Sequence, residues 1–380
     1  MKLCVVAGEA SGDLHASGVV RELRKIDPSL ELFGIGGARL AAEDVRLVRD
    51  ARDLAIVGLF NVLRHLPMFF SAFRAIVREI RRERPDAVLL VDYPDFNLRL
   101  ARTCRRMRIP VVYFISPQIW AWRPRRVRQI AERVDHMLVL FPFERDLYEH
   151  HGVPVTYVGH PLVEQLEGIA PRSFDPPAES ANVALLPGSR RMEVETLLGP
   201  MLDALEVLAR ERPLAARVLV APGIARERIE SLVRRRRIAV EIVERGRMEA
   251  LARSDLAICS SGTATLEAAV LGVPSVVVYR LTPLTYALAR RLVRLPHFSL
   301  VNIVAETRVV PELLQNEVRG ERIAAEARSL LEPGRWSEVR HELDRVRREL
   351  GEGGTSRRAA AKIATLVGLP GSSSSPGGTA

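Results

Sequence analysis

Residues 256–279 read Leu-Ala-Ile-Cys-Ser-Ser-Gly-Thr-Ala-Thr-Leu-Glu-Ala-Ala-Val-Leu-Gly-Val-Pro-Ser-Val-Val-Val-Tyr. An apolar run of strand length meets hydroxyls and a glycine, continues through a helix-forming stretch, stops at Gly272 and Pro274, and resumes as a β-branched run. That is a strand–helix–strand unit, a connection that lays two parallel strands in one sheet. Outward from it the same alternation predicts strands at 182–186, 217–221 and 239–243, and a second series at 3–7, 31–35, 87–91, 111–115, 137–141 and 155–158. Between the two series, Glu167-Gly168-Ile169-Ala170-Pro171 and Asp175-Pro176-Pro177 have the composition of a linker. The expected class is α/β: two doubly wound parallel-sheet domains facing a cleft, with C-terminal helices. The expected bounds are 1–165, 166–345, a helix at 346–367 and a disordered low-complexity tail at 368–380.

The chain has 380 residues, 47% hydrophobic and 27% charged, which excludes a disordered, collagen-like or disulfide-scaffold protein. Lys+Arg 56 against Asp+Glu 46 gives a net charge of +10, which suits an anionic partner. Only Lys2, Lys25 and Lys362 are lysines, and a codon-biased genome produces such an arginine excess without selection for binding. Cys4, Cys104 and Cys259 are distant from one another and odd in number, as buried thiols of a reducing compartment are. With no secretory signal and no run of about 18 apolar residues, the expected location is cytoplasmic. No nucleic-acid recognition motif accompanies the charge.

The first strand runs into Gly8-Glu9-Ala10-Ser11-Gly12-Asp13. Glycines permit a tight turn, and amides at a helix start hold an anion or sugar hydroxyls. Carboxylates at Glu9 and Asp13 repel a pyrophosphate, so Ser11, Gly12 and Asp13 suit an acceptor hydroxyl; the plainer reading is a turn with Asp13 as a helix cap. The strand at 87–91 ends in Val91-Asp92-Tyr93-Pro94-Asp95-Phe96-Asn97. A carboxylate at the carboxyl end of a central parallel strand sits where a general base takes a proton from a sugar hydroxyl, which marks Asp92. Asp95 and Asn97 read either as helix caps or as acceptor contacts. No metal is expected, because no histidine or third carboxylate stands nearby at ligand spacing. Ser116-Pro117-Gln118-Ile119-Trp120-Ala121-Trp122-Arg123 sets two tryptophans beside a strand end, where aromatic faces stack on sugars or pack within the protein.

Between residues 56 and 84, Phe60, Leu63, Met68, Phe69, Phe70 and Phe73 are interleaved with Arg64, Arg74, Arg78, Arg81 and Arg82. Such a helix lies in an anionic membrane interface, lines a pocket for acyl chains, or is an ordinary amphipathic crossover helix. In Leu185-Leu186-Pro187-Gly188-Ser189-Arg190, Gly188 allows close backbone approach and Arg190 presents a fork of donors to a phosphate beside Ser189. At the next helix start, Ser261, Gly262, Thr263, Ala264 and Thr265 can bind a diphosphate through amides and dipole, and Glu267, one turn in, reaches ribose hydroxyls. The Walker lysine and the dinucleotide glycines are both missing, so ATP and NAD are poor candidates.

That last pattern resembles the nucleotide-sugar half of GT-B glycosyltransferases. GEASGD (8–13), GIGG (34–37), VDYPDFN (91–97), SPQIWAWR (116–123), FPFE (141–144), VGHPL (158–162), LLPGSR (185–190), SGTATLE (261–267) and PELLQ (311–315) follow in order. Over about residues 1–345 the set is similar to the lipid-A-disaccharide synthase family. The resemblance implies a GT-B fold of two Rossmann-like domains, an acceptor- and lipid-binding one followed by a UDP-sugar-binding one. It implies transfer of 2,3-diacylglucosamine from its UDP conjugate to 2,3-diacylglucosamine 1-phosphate, with no cofactor, UDP-sugar being a substrate. It further implies contact with anionic phospholipids on the cytoplasmic face of the Gram-negative inner membrane, and a homodimer. By the same resemblance Asp92 falls on the family's essential acidic position, Arg190 on its arginine near the donor phosphates and Asn302 on its asparagine near the nucleotide. Glu312 and Gln315 fall on further donor-side motifs, and His15 is an auxiliary catalytic candidate. The chain departs at Leu300-Val301-Asn302, where the family commonly has Leu-Pro-Asn. Rival readings are a UDP-N-acetylglucosamine 2-epimerase-like enzyme, which has no use for the apolar segment 56–77, another GT-B transferase using a UDP-sugar, and a noncatalytic lipid-surface protein, for which Asp92 and Arg190 are dispensable.

Overall fold

Strands without a polar interruption are buried on both faces, and the helices that connect them cover those faces. The computed structural model describes residues 1–53, 62–122, 125–177, 179–283, 285–287 and 295–369, in two units. Met1–Pro161, joined by the segment that returns from Glu352, forms the first; Leu162–Gly351 forms the second. In the first unit β1 (Lys2–Ala7), β2 (Glu31–Gly36), β3 (Arg46–Asp50), β4 (Ala87–Val91), β5 (Val111–Phe114), β6 (His136–Val139) and β7 (Val155–Tyr157) form a parallel sheet in the order β3-β2-β1-β4-β5-β6-β7. In the second, β8 (Ala181–Leu186), β9 (Leu214–Leu219), β10 (Val240–Val243), β11 (Leu256–Ser260), β12 (Ser275–Tyr279) and β13 (Glu312–Leu314) take the order β10-β9-β8-β11-β12-β13. Each order reverses once, between β1 and β4 and between β8 and β11, and ligands of doubly wound sheets bind outside the carboxyl ends at that reversal. Ala7 pairs with Val91 and Cys259 with Leu186, so in each unit two of the motif-bearing turns emerge side by side.

The sequence reading missed β3 and β13, and both are edge strands. Arg46–Asp50 carries charges at three of its five positions and Glu312–Leu314 is three residues long, so neither presents the apolar run that marks a strand buried on both faces.

Helix Val62–Glu83 covers the first sheet with a stripe of Phe69, Ala72, Ile76 and Ile80, all buried. Phe69 and Phe73 stand edge-on to Phe96 at 5.1 and 5.5 Å. This corrects the expected place of Phe69 at an acyl or membrane contact: the stripe that faces the sheet takes it into the core, and Phe73, half-buried, packs against that core. Met68 and Phe70 are 42% and 46% exposed. Phe60 and the Leu63 side chain lie outside the described residues, as does the tail beyond 369. No described helix is long and apolar enough to cross a membrane.

The segment read as a linker is bound along the second unit. Arg172 pairs with the buried carboxylate of Asp255 at 2.8 Å, Arg340 lies 3.9 Å from the Phe174 ring and donates from Nε to the Arg172 carbonyl, and Trp336 donates its indole N–H to the Asp255 carbonyl. The C-terminal helix Thr355–Val367 belongs to the first unit rather than standing apart. It buries Ala359, Ala360, Ile363 and Ala364, approaches helix Ala10–Ile26 so closely that a Cβ on Gly18 would meet Ser356 Oγ at 2.6 Å, and ties Arg358 Nε to the Val158 carbonyl. Ile363→Ala therefore lowers the stability of the first unit by about 2–5 kcal/mol. Denaturant-dependent hydrogen exchange reads this as protection lost in residues 1–161; equal loss in both units contradicts the assignment.

Candidate functional site

In the first unit strained backbone gathers where β4 ends. Asp92 and Tyr93 have φ of 48° and 47°, and Ile115, at the end of the adjacent β5, has φ of 67°. Left-handed backbone in three non-glycine residues, one of them β-branched, costs roughly 1–3 kcal/mol each and persists only where the surroundings impose it. They do so here. Asn97 Nδ2 donates to the Val91 and Asp92 carbonyls at 3.1 and 2.7 Å, and Tyr113 Oη donates to the Asp92 carbonyl at 2.6 Å. Across the turn the Tyr93 ring occupies the space that a side chain at residue 8 would need: a Cβ on Gly8 would lie 2.3 Å from it. Burial raises the Asp92 carboxyl to about 6, the Glu9 charge adds to the rise, and the Tyr93 amide opposes it.

Of the other residues of the expected acceptor side, Asp13 and Asn97 are bonded into the scaffold. Asp13 is buried and accepts the amides of Gly37, Arg39 and Leu40 at 2.6, 3.1 and 3.2 Å. It thus caps helix Ala38–Ala42 rather than its own, and its carboxylate is filled. Asn97 caps no helix: it holds the strained turn from beneath, fully buried. Asp95 is exposed and ion-paired with Arg126. Ser11 is exposed and Gly12 buried. His15 is half-buried beside His160, whose imidazole burial, and then His15, push down to about 4. Trp120 donates its indole N–H to Glu144 at 3.2 Å, and Glu144 also accepts the Leu140 and Phe141 amides. Burial pushes that carboxyl up to about 7 against those hydrogen bonds. Glu144 stands within FPFE, and the signal of its role is the spacing from the helix start, Glu at the third position after Phe141.

In the second unit a cavity of about 370 Å³ opens at the β8/β11 reversal, lined by Gly188, Ser189, Arg190, Glu193, Leu219, Ala221, Pro222, Arg247, residues 260–264 and Glu267. Gly262, at φ +136°, makes the turn into helix Thr263–Val270, a conformation closed to other residues. That helix start carries no side-chain cap, which leaves its amides and dipole facing the cavity wall. The other helix start is self-occupied: Glu193 accepts the Ser189 and Arg190 amides at 3.0 and 3.2 Å and the Arg190 guanidinium at 3.0 Å. Burial raises the Glu267 carboxyl and Arg247 opposes the rise.

Ser261 and Thr265 are committed inward, Ser261 Oγ donating to the Phe298 carbonyl and Thr265 Oγ1 to that of Gly262. Behind them Glu312 accepts the Phe298 and Ser299 amides, and Gln315 exchanges two hydrogen bonds with the Leu281 backbone. Neither of these two lines the cavity, and Asn302 does not either. Fully buried, Asn302 accepts the Val309 and Val310 amides and donates to the Val310 carbonyl, so all three residues hold the donor-side loops in place. The sequence reading missed Arg247, whose signal was its place just past the carboxyl end of β10. Asn97→Ala leaves the Val91 and Asp92 carbonyls without that donor and costs about 1–3 kcal/mol, read as a lower denaturant midpoint; an unchanged midpoint shows that Tyr113 alone holds the turn.

The lipid-A-disaccharide synthetase family model matches residues 3–366. The lipid-A-disaccharide synthase of Geobacter metallireducens is 42% identical, covering 97% of each chain. Among solved structures, the calicheamicin glycosyltransferase CalG4 aligns with a TM-score of 0.63 at 16% identity over 97% of this chain and 98% of its own. The UDP-GlcNAc 2-epimerase of Neisseria meningitidis, solved with UDP-GlcNAc bound, aligns with a TM-score of 0.62 at 14% identity over 96% and 100%. These two likenesses are of fold, and the fold is that of the GT-B glycosyltransferases. The match along nearly the whole sequence goes further: the chain belongs to the lipid-A-disaccharide synthase family of glycosyltransferases.

Proposed function

We propose that the chain transfers 2,3-diacylglucosamine from UDP to the 6-hydroxyl of 2,3-diacylglucosamine 1-phosphate with inversion, releasing UDP and the disaccharide 1-phosphate. The observation that carries this reading is Asp92: a carboxyl on a strained turn at the end of a central strand, raised to about 6. A base with that affinity is mostly ionised at neutral pH and still binds a proton well enough to take one in the transition state. As the acceptor oxygen attacks the anomeric carbon, its proton passes to Asp92, the new C–O bond forms, and the bond from that carbon to the diphosphate oxygen breaks, its electron pair leaving with UDP. In the second unit the uncapped start of helix Thr263–Val270 and Arg190 stabilise the departing diphosphate, while Glu267 accepts ribose hydroxyls. No divalent ion is invoked.

Both substrates carry acyl chains, and we place the enzyme on the cytoplasmic face of an anionic inner membrane through helix Val62–Glu83. Met68, Phe70, Arg74 and Arg78 are exposed there, and exposed apolar and basic side chains together favour such a surface.

A radiolabel transfer assay in EDTA tests the chemistry. Wild type forms the disaccharide, and Asp92→Ala lowers kcat by about 10²–10⁴-fold; product formed equally by both removes Asp92 from the mechanism. Because the base must be ionised, kcat/KM falls about tenfold per pH unit below about 6. Glu9→Gln removes a charge that raises Asp92 and moves this limb to lower pH; a limb that stays in place denies Glu9 its influence. For the membrane, sedimentation with anionic liposomes weakens for the charge-reversed pair Arg74→Glu and Arg78→Glu, and unchanged binding rejects docking through this helix.

A further inference from the structure

Two arginines line the cavity of the second unit, and they differ in their commitments. Arg190 is 77% exposed and closed on Glu193. Arg247 opens helix Arg247–Ala252 and lines the same cavity as Glu267, yet it forms no hydrogen bond or ion pair with a described residue, and its Nε is buried without a partner. Buried side-chain donors are nearly always satisfied, so an unpaired guanidinium N–H in the wall of a binding cavity calls for an acceptor on the ligand.

The order of the strands locates that acceptor. The turn at 188–190 and the helix start at 262–264 flank the β8/β11 reversal, and the anion-binding groups of the cavity are there. From that point the wall continues through Leu219, Ala221 and Pro222 at the end of β9 to Arg247, just past β10, the outermost strand on that side. This wall is uncharged up to Arg247 and suits a planar base better than a phosphate.

Resting on the reading of this cavity as the UDP-sugar site, we propose that Arg247 is a nucleoside-binding residue, donating from its guanidinium to a carbonyl oxygen of the pyrimidine base rather than to the diphosphate. The hydrogen bond is charge-assisted, and Arg247 also keeps a cation beside Glu267, the partner of the ribose hydroxyls.

Calorimetric titration of the full chain with UDP, uridine and pyrophosphate separates the possibilities. Arg247→Gln weakens UDP and uridine by the same factor, about tenfold, and leaves pyrophosphate unchanged. Arg247→Lys, which keeps the charge but loses the planar fork, gives the same pattern at smaller amplitude and serves if the glutamine variant does not fold. Weaker UDP and pyrophosphate with unchanged uridine assigns the guanidinium to the phosphates and overturns the proposal. Unchanged affinities for all three overturn it too, leaving the donor-site reading intact. Wild type that binds none of the three overturns both.

Discussion

Two hydrogen bonds into the backbone carbonyl of Asp92, from Asn97 and Tyr113, hold a turn that the chain would otherwise avoid. Consecutive left-handed residues at 92 and 93 reverse the backbone sharply between β4 and helix Pro94–Arg106. The rest of the first unit is arranged around that reversal: Gly8 leaves room for the Tyr93 ring, Phe96 is packed against Phe69 and Phe73, and Asn97 is buried directly beneath. Helix Val62–Glu83 is thereby tied to the site through its aromatic stripe. Its buried side supports the turn that carries Asp92, and its exposed side is left with Met68 and Phe70.

The second unit divides its anion-binding capacity between two helix starts that look alike in sequence. Both follow a strand end and a glycine. At Arg191–Leu208 the chain supplies its own carboxylate, Glu193, which neutralises the amides and part of the Arg190 charge. At Thr263–Val270 it supplies none. An anionic ligand entering the cavity therefore finds open amides only at the second, and meets Arg190 through a guanidinium that must share or exchange its bond to Glu193. The first start shapes the loop and the second leaves amides open to the cavity, a distinction the dipole argument alone cannot make.

Much of this was legible in the sequence, for identifiable reasons. Runs such as Ala87–Val91 and Ser275–Tyr279 declare themselves because a strand buried on both faces admits almost no polar residue. Asp92 was legible because its position follows from where such a strand ends. The edge strands β3 and β13 were not, the one because charges stand at three of its five positions and the other because it is three residues long, whereas β7 and β10, also at edges, kept a β-branched run. Nor could sequence separate residues that touch a ligand from residues that hold those that do: Asp13, Asn97, Asn302 and Glu312 have the right chemistry for a ligand, but Asp13, Asn302 and Glu312 accept backbone amides up to 27 residues away, and the Asn97 amide donates to two backbone carbonyls. Phe69 and Phe73 failed for a different reason: a helix with apolar residues on both sides does not announce which side faces the sheet.

The carboxyls of the first unit also bear on its stability. A carboxyl raised from 3.8 to about 6 in the folded state binds more protons folded than unfolded between those values. Stability therefore falls as pH rises through that window, and the full cost, about 3 kcal/mol for Asp92, is present at neutral pH. Glu144, raised to about 7 by its burial, acts in the same direction over a window that extends to neutrality. The Asp92 carboxyl is thus held against the folding equilibrium by the same burial that raises it, on a turn that is itself strained. The hydrogen bonds from Asn97 and Tyr113 under the turn, and from Trp120 and two amides around Glu144, work against that cost.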